Sequence, residues 1–130
     1  MKKVVLFPFN IEEDNKDRYA KAVNFARKNE ADLVLFTALQ QEVDEKIADE
    51  VYFHLLELNG YFQVQNGWQS TAELKTERKI IKGAFYETLE KVVNEKMPSW
   101  IIGSGYCTSF DNKKIKELVN PEVRIVPVIL

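Results

Sequence analysis

The stretch SWIIGSGYCTSFDNKKIKEL, residues 99–118, carries the three signals that decide the fold of this chain. The apolar run Trp100–Ile102 predicts a strand buried on both faces, because a half-buried strand would alternate apolar and polar residues. Gly103 and Gly105 then predict a turn. Asp111 is a natural N-cap for the helix that follows. A buried strand, a glycine turn and a helix in this order are typical of a parallel α/β sheet.

Similar apolar runs recur along the chain. Val4–Phe7 and Ala31–Ala38 predict the first two strands. The pair Ile80–Ile81 marks a third strand within residues 74–82, and residues 123–130 predict a fifth. Strands that alternate with helical segments are expected to form right-handed crossover units with parallel pairing.

Between these strands, apolar residues recur at the three- and four-residue spacing of helices. They are Tyr19, Ala22, Val23 and Ala26 in the first helix, which Asp14 or Asn15 would cap; Val43, Ile47, Val51, Leu55, Leu58 and Phe62 in the second; Phe85, Leu89, Val92 and Val93 in the third; and Ile115, Leu118 and Val119 in the last. Turn signals at Asn59-Gly60 and Asn66-Gly67 leave open a hairpin strand at Tyr61–Gln65, although the apolar stripe favours one long helix from about Glu42. The order βαβαβαβαβ predicts one doubly wound, Rossmann-like α/β domain over residues 1–130, with five parallel strands.

Composition and charge argue against several classes of function, among them nucleic-acid binding and membrane association. A chain of 130 residues with 45% apolar residues can build one core. Its 18 basic and 20 acidic residues are spread without a basic block, so we expect no nucleic-acid partner. No apolar run approaches the roughly 20 residues of a membrane span, and Val4–Phe7 is too short for a signal peptide, so we expect no membrane association. A single cysteine, Cys107, suits a reducing compartment and makes the cytoplasm the expected location.

The segments KIIKGAFYETLEKVVNEKMPSWIIGSG (79–105) and RIVPVIL (124–130) resemble the universal stress protein family. That family shows a strand, a glycine, an amphipathic helix and an apolar strand running into a glycine turn, and it closes with a Pro-Val strand. Gly83, Gly103 and Pro127-Val128 match these points, and VVLFPFN (4–10) is similar to the family's first strand with its Pro-x-Asp ending. The resemblance implies a five-stranded parallel sheet and a stress-response protein that forms homodimers.

Nucleotide-binding members of this family carry a glycine, two residues, a glycine, nine residues, a glycine, and then serine or threonine. Gly103 matches the first glycine, but Tyr106 stands at the second and Lys116-Glu117 at the last pair. Asp111 at the helix start would compete with a phosphate for the helix N–H groups and repel it. The resemblance therefore implies a member without a resident cofactor. If ATP or AMP binds, its predicted contacts are Pro8, Asn10 (where the family has aspartate), Ala38, Gly103, Ser104 and Gly105.

Three function hypotheses follow from these observations. The first is a cytoplasmic stress-response protein that acts by dimerisation and protein partners without catalysis, with a predicted dimer interface of Val126, Val128, Ile129 and Leu130. The second is a degenerate adenine-nucleotide-binding or slow ATP-hydrolysing member, with its ligand at the carboxyl ends of the first and fourth strands. The third is a redox protein that uses Cys107. The single histidine, His54, cannot form a Cys/His cluster, so we predict neither a metal site nor a catalytic residue.

Overall fold

The computed structural model describes residues 2–40, 44–66, 74–104 and 110–128, which form five strands and four helices in alternation. The strands are β1 (Val4–Pro8), β2 (Asp32–Leu39), β3 (Thr76–Lys82), β4 (Trp100–Ile102) and β5 (Arg124–Val126). The helices are α1 (Lys16–Lys28), α2 (Asp44–Asn66), α3 (Phe85–Lys96) and α4 (Asn112–Leu118). All the strand pairs are parallel, in the order β3-β2-β1-β4-β5. The doubly wound α/β fold predicted from the sequence is confirmed.

Alternate residues of the central strands face opposite sides of the sheet and divide the core into two layers. On β1, Val5 and Phe7 pack with α1 and α2, whereas Leu6 packs with α3 and α4. On β4, Ile102 belongs to the first layer and Ile101 to the second. Helices therefore cover both faces of the sheet, which explains why the central strands appear in the sequence as continuous apolar runs.

The long helix α2 resolves the alternatives that the sequence left open. It runs from Asp44 to Asn66 and passes through Asn59-Gly60 without a break. A hairpin strand at Tyr61–Gln65 was the wrong alternative, and the helix is confirmed. The predicted start near Glu42 lies outside the described residues.

One strand boundary differs from the sequence prediction, and the start of α1 uses both of the residues that the sequence offered as caps. β5 was expected over residues 123–130. Among the described residues, which end at 128, it pairs from Arg124 to Val126, opposite the three residues of β4. At the start of α1, Asn15 is the N-cap position but makes no side-chain cap. The carboxylate of Asp14 instead accepts from the N–H of Lys16 at 3.0 Å, while the Asn15 amide donates to the carbonyls of Asn10 and Glu13.

The edge of the sheet at β3 is lined by charged side chains. Lys79 pairs with Glu95 at 2.8 Å, Lys96 with Glu77 at 2.6 Å, and Arg78 with Asp49. The hydrogen bond from Lys79 lowers the pKa of the Glu95 carboxyl group. Exposed pairs of this kind add little stability, but charges along an edge strand discourage pairing with another chain.

Gly83 connects β3 to α3 through a turn that excludes a side chain. Its N–H donates to the carbonyl of Leu39 at 2.8 Å, and its φ of +144° lies in a region that L-residues rarely adopt. A Cβ atom there would lie 2.8 Å from Cγ2 of Thr88. The turn therefore requires glycine for two separate reasons, its backbone angle and its contact with α3.

We expect Gly83→Ala to lower the free energy of unfolding by about 1–3 kcal/mol. Thr88→Ser removes the methyl group that the new Cβ would meet and keeps the hydroxyl that donates to the Ala84 carbonyl. The double variant should therefore recover the steric part of the loss but not the part due to φ. Urea unfolding of the two single variants and the double variant checks this, and an unchanged midpoint for Gly83→Ala would contradict it.

Candidate functional site

The carboxyl ends of β1 and β4 form the switch point of this sheet. From β1 the chain crosses to β2 on one side, while β4 pairs with the other side of β1. The chain leaves the sheet at Pro8 on β1 and at Gly103 after β4. In doubly wound folds, ligands bind in the crevice that opens between two such strands.

The side chain of Arg18 occupies this crevice. Arg18 lies in the first turns of α1 and is only 2% exposed. Its Nε donates to the carbonyl of Gly103 at 2.9 Å, Nη1 to the carbonyl of Pro8 at 2.9 Å, and Nη2 to the carbonyl of Ile102 at 3.3 Å. One guanidinium group therefore holds the last carbonyls of both strands.

Two aromatic rings complete the surroundings of the guanidinium group. Its carbon lies 4.8 Å from the ring centre of Phe7 and 4.9 Å from that of Phe110. Burial lowers the pKa of Arg18 to about 10, and the nearby charge of Glu13 partly opposes this shift. Arg18 therefore keeps its positive charge at neutral pH, and ring faces and carbonyl oxygens take the place of water around it.

Sequence reasoning missed Arg18, although one signal for it was present. Arg18, Ala22 and Ala26 are spaced by four residues, and all three are buried on α1. A charged residue in line with a buried helical stripe is unusual, since buried arginine needs partners for its five N–H groups. The partners here come from positions 8, 102 and 103, which become neighbours only in the folded sheet.

The turn after β4 is closed by side chains of the helix that follows it. The N–H of Ser104 donates to Oδ1 of Asn112 at 2.7 Å, and the N–H of Lys113 donates to the carboxylate of Asp111 at 2.9 Å. A Cβ atom at Gly103 would lie 3.0 Å from Oδ1 of Asn112 and 3.1 Å from the carbonyl oxygen of Val126. The backbone donors that a phosphate would need at Ser104 and Lys113 are thus already engaged.

A cavity of about 330 Å³ opens beside the crevice, at the carboxyl ends of β1, β2 and β3. The residues that line it are Phe9, Asn10, Ile11 and Glu12 after β1; Thr37, Ala38, Leu39 and Gln40 around the end of β2; Asp44 at the start of α2; Gly83, Phe85 and Tyr86 at the start of α3; and Phe110 before α4. Phe110 is shared between the two places, because Arg18 stacks on its ring.

The predicted nucleotide contacts divide between these two places. Asn10 and Ala38 line the cavity. The carbonyls of Pro8 and Gly103 accept hydrogen bonds from Arg18, and the N–H of Ser104 donates to Asn112. Gly105 lies outside the described residues, as do Cys107, Ile129 and Leu130 of the other predictions.

No group of three or more His, Cys, Asp or Glu side chains that could hold a metal occurs in the described ranges. His54 lies on α2 with its side chain exposed. Within the same ranges, no helix is both long and apolar enough to cross a membrane.

Three solved structures with this architecture are those of universal stress proteins. One, a universal stress protein in complex with cAMP, is 17% identical, with 97% of each chain covered and a TM-score of 0.64. The universal stress protein from Archaeoglobus fulgidus is 9% identical, with 98% of this chain and 93% of that chain covered and a TM-score of 0.71. A family member from Burkholderia pseudomallei is 13% identical, with 97% and 96% covered and a TM-score of 0.61.

Comparison by sequence adds nothing to this likeness, because no family model matches the chain and no curated protein does. The class that the fold defines is that of the doubly wound α/β proteins. Within this class, the chain has the fold of the universal stress proteins, and the resemblance found in its sequence is confirmed at the level of the fold.

We expect Arg18→Met to lower the free energy of unfolding by about 2–4 kcal/mol, because it leaves three buried carbonyls without their donor. Lys21→Met is the matched control, since it removes the same charge from an exposed position of α1. Urea unfolding measures both variants. Equal effects of the two would contradict a structural role for the buried guanidinium group.

The pH dependence of this loss follows from the lowered pKa of Arg18. Native and unfolded chains both bind the Arg18 proton at neutral pH, so the difference between wild type and Arg18→Met should stay constant between about pH 6 and pH 9. Above about pH 10 the native state loses this proton before the unfolded state does, and the Arg18 contribution to stability then rises with pH. A steep change in the difference near neutral pH would contradict the assignment.

Proposed function

We propose that this chain is a universal stress protein of the branch that does not bind ATP. It acts in the cytoplasm, in the response to stress, through self-association and protein partners and without catalysis. The observation that carries this proposal is the side chain of Arg18 in the switch-point crevice, bonded to the carbonyls of Pro8, Ile102 and Gly103. The shared fold supports the choice of family.

The contacts around the glycine turn support the same proposal. A phosphate at such a turn accepts hydrogen bonds from free backbone N–H groups. At Ser104 that donor is bonded to Asn112, and at Lys113 it is bonded to Asp111. The negative charge of Asp111 would also repel a phosphate. A nucleotide would therefore have to displace bonds that the chain already makes.

Nucleotide binding stays the second candidate, and two observations favour it. The similar structure in complex with cAMP shows that this fold can hold an adenine nucleotide in another protein. In this chain, Asn10 and Ala38 line a cavity of about 330 Å³, which lies in the size range of small-molecule pockets. ATP or AMP would then place its base in the cavity, and slow hydrolysis of ATP would belong to this candidate.

Calorimetric titration with ATP and Mg²⁺ separates the two candidates. We expect no saturable heat up to about 1 mM ATP, because the N–H groups of Ser104 and Lys113, which a phosphate would need, are already bonded within the chain. AMP and cAMP are titrated in the same way. A one-site isotherm that Asn10→Ala or Gly103→Ala weakens, while the exposed control Glu90→Gln does not, would overturn the proposal. Weakening by Asn10→Ala alone would place the ligand in the cavity and not at the turn.

The edge of the sheet at β5 supports self-association. The N–H of Arg124 and the carbonyl of Val126 both form hydrogen bonds toward β4. Backbone groups alternate in direction along a strand, so those of Ile125 and Pro127 face the open edge. Pro127 has no N–H, which limits this edge to a short ladder. Val126 and Val128 are half-buried and apolar, in contrast to the charged edge at β3. A second copy of the chain would cover these apolar residues.

We expect the protein to sediment as a dimer and Val128→Lys to raise the dimer dissociation constant at least about tenfold, because the new charge would be buried against an apolar partner. Ile47→Lys is the control, since it places the same charge on an exposed apolar residue of α2. Analytical ultracentrifugation over a concentration series measures both. A monomer at all concentrations, or equal effects of the two variants, would contradict the β5 interface.

A further inference from the structure

The cavity beside the crevice has an aromatic wall. Phe85 and Phe110 stack with their ring centres 5.4 Å apart, and Tyr86 meets Phe85 edge-on at 5.0 Å. Phe9 completes the aromatic lining. The faces of such rings carry partial negative charge, so they attract a cation that approaches within about 6 Å.

The charged residues among those that line the cavity are both acidic. Glu12 is exposed and Asp44 is half-buried, and the described lining includes no Lys, Arg or His. The remaining polar groups, on Asn10, Thr37 and Gln40, are neutral. A cleft lined by charge of one sign raises the local concentration of ligands of the opposite sign.

Two cations of the protein lie against this wall without lining the cavity. Arg18 lies over Phe110 at 4.9 Å, and Nζ of Lys114 lies over Tyr86 at 4.3 Å. They oppose a cationic ligand, but their effect is reduced because Glu13 lies near Arg18 and because solvent screens the exposed Lys114. Their positions also demonstrate that rings of this wall accept a cation on the face.

We propose that the cavity binds a small organic cation, a protonated or quaternary amine with an apolar body. The apolar body would pack on Phe85 and Tyr86, which are partly exposed, and the ammonium group would be directed to Glu12 and Asp44. The same lining disfavours a phosphate or a carboxylate, because both carboxylates would repel it. This binding activity is independent of the proposed function, since it needs neither a dimer nor the absence of ATP at the glycine turn.

A charge series on one aromatic ring tests the proposal. The three probes are benzyltrimethylammonium, benzyl alcohol and phenylacetate, each titrated into ¹⁵N-labelled protein and followed by amide chemical shifts. We expect saturable shifts at Gly83, Phe85 and Tyr86, and affinity for the cation about tenfold higher than for the alcohol and higher still than for the anion. Added salt should lower the affinity for the cation but not for the other two probes.

Variants that keep shape but remove charge assign the effect to the cavity. We expect Glu12→Gln and Asp44→Asn each to lower the affinity for the cation about threefold, and the double variant to lower it about tenfold. The affinity for benzyl alcohol should not change. Glu90→Gln removes the same charge from an exposed position of α3 that does not line the cavity, and it should leave all three affinities unchanged. The unperturbed amide spectrum of each variant shows that it is folded.

Three results would overturn the proposal. Phenylacetate could bind as tightly as the cation, the cation could shift amides away from the cavity, or Glu12→Gln and Asp44→Asn could act no more strongly than Glu90→Gln. Each of these can occur whether or not ATP gives heat in the calorimeter, so the failure of this proposal is distinguishable from the failure of the proposed function.

Discussion

The hydrogen bonds of one buried guanidinium group organise the centre of this protein. Arg18 donates hydrogen bonds to the carbonyls at the ends of β1 and β4. These carbonyls face the crevice that opens where the chain leaves both strands. Buried carbonyls need donors, and in doubly wound folds this crevice is where ligands bind. Here α1 supplies the donor itself, and the ring of Phe110 packs over the guanidinium group. The cost of burying a cation is partly offset by its three carbonyl bonds and two ring faces, and the lowered pKa of Arg18 reflects the part that remains.

The closed turn after β4 complements Arg18, although different residues build it. At the start of α4, the side chain of Asn112 accepts a hydrogen bond from the N–H of Ser104, and that of Asp111 accepts one from the N–H of Lys113. Together the two arrangements fill the switch point with the chain's own polar groups, and a cavity opens beside it at the ends of β1, β2 and β3. The molecule thus shares the fold of the universal stress proteins, and Arg18 occupies its crevice. Fold and site are separate properties, and the fold alone does not decide the ligand.

The sequence was most informative where local pattern and burial agree. The apolar runs of β1 and β2 and the stripe of α3 predicted their elements because both faces of the sheet are covered, so that burial is continuous along each strand. The prediction was weaker at β5, which among the described residues pairs opposite the three residues of β4. The predicted contacts Asn10 and Ala38 lie in one cavity, but Gly103 lies with Arg18 in another place. Sequence spacing could not assign these residues to two separate sites, because the cavity and the Arg18 crevice adjoin the same strand ends.

By itself, the sequence determined the alternation of strands and helices and the parallel sheet, since these follow from hydrophobic periodicity and turn residues that act over a few positions. The resemblance to a family came separately, from the segments 79–105 and 124–130. Only the tertiary structure decided what fills the switch point. Arg18 is separated from Gly103 by 85 positions, and its role exists only when α1 packs against the ends of two strands. The spacing of Arg18 with Ala22 and Ala26 indicates that the residue is buried, but it does not identify the carbonyls that Arg18 bonds, because these come together only in three-dimensional packing.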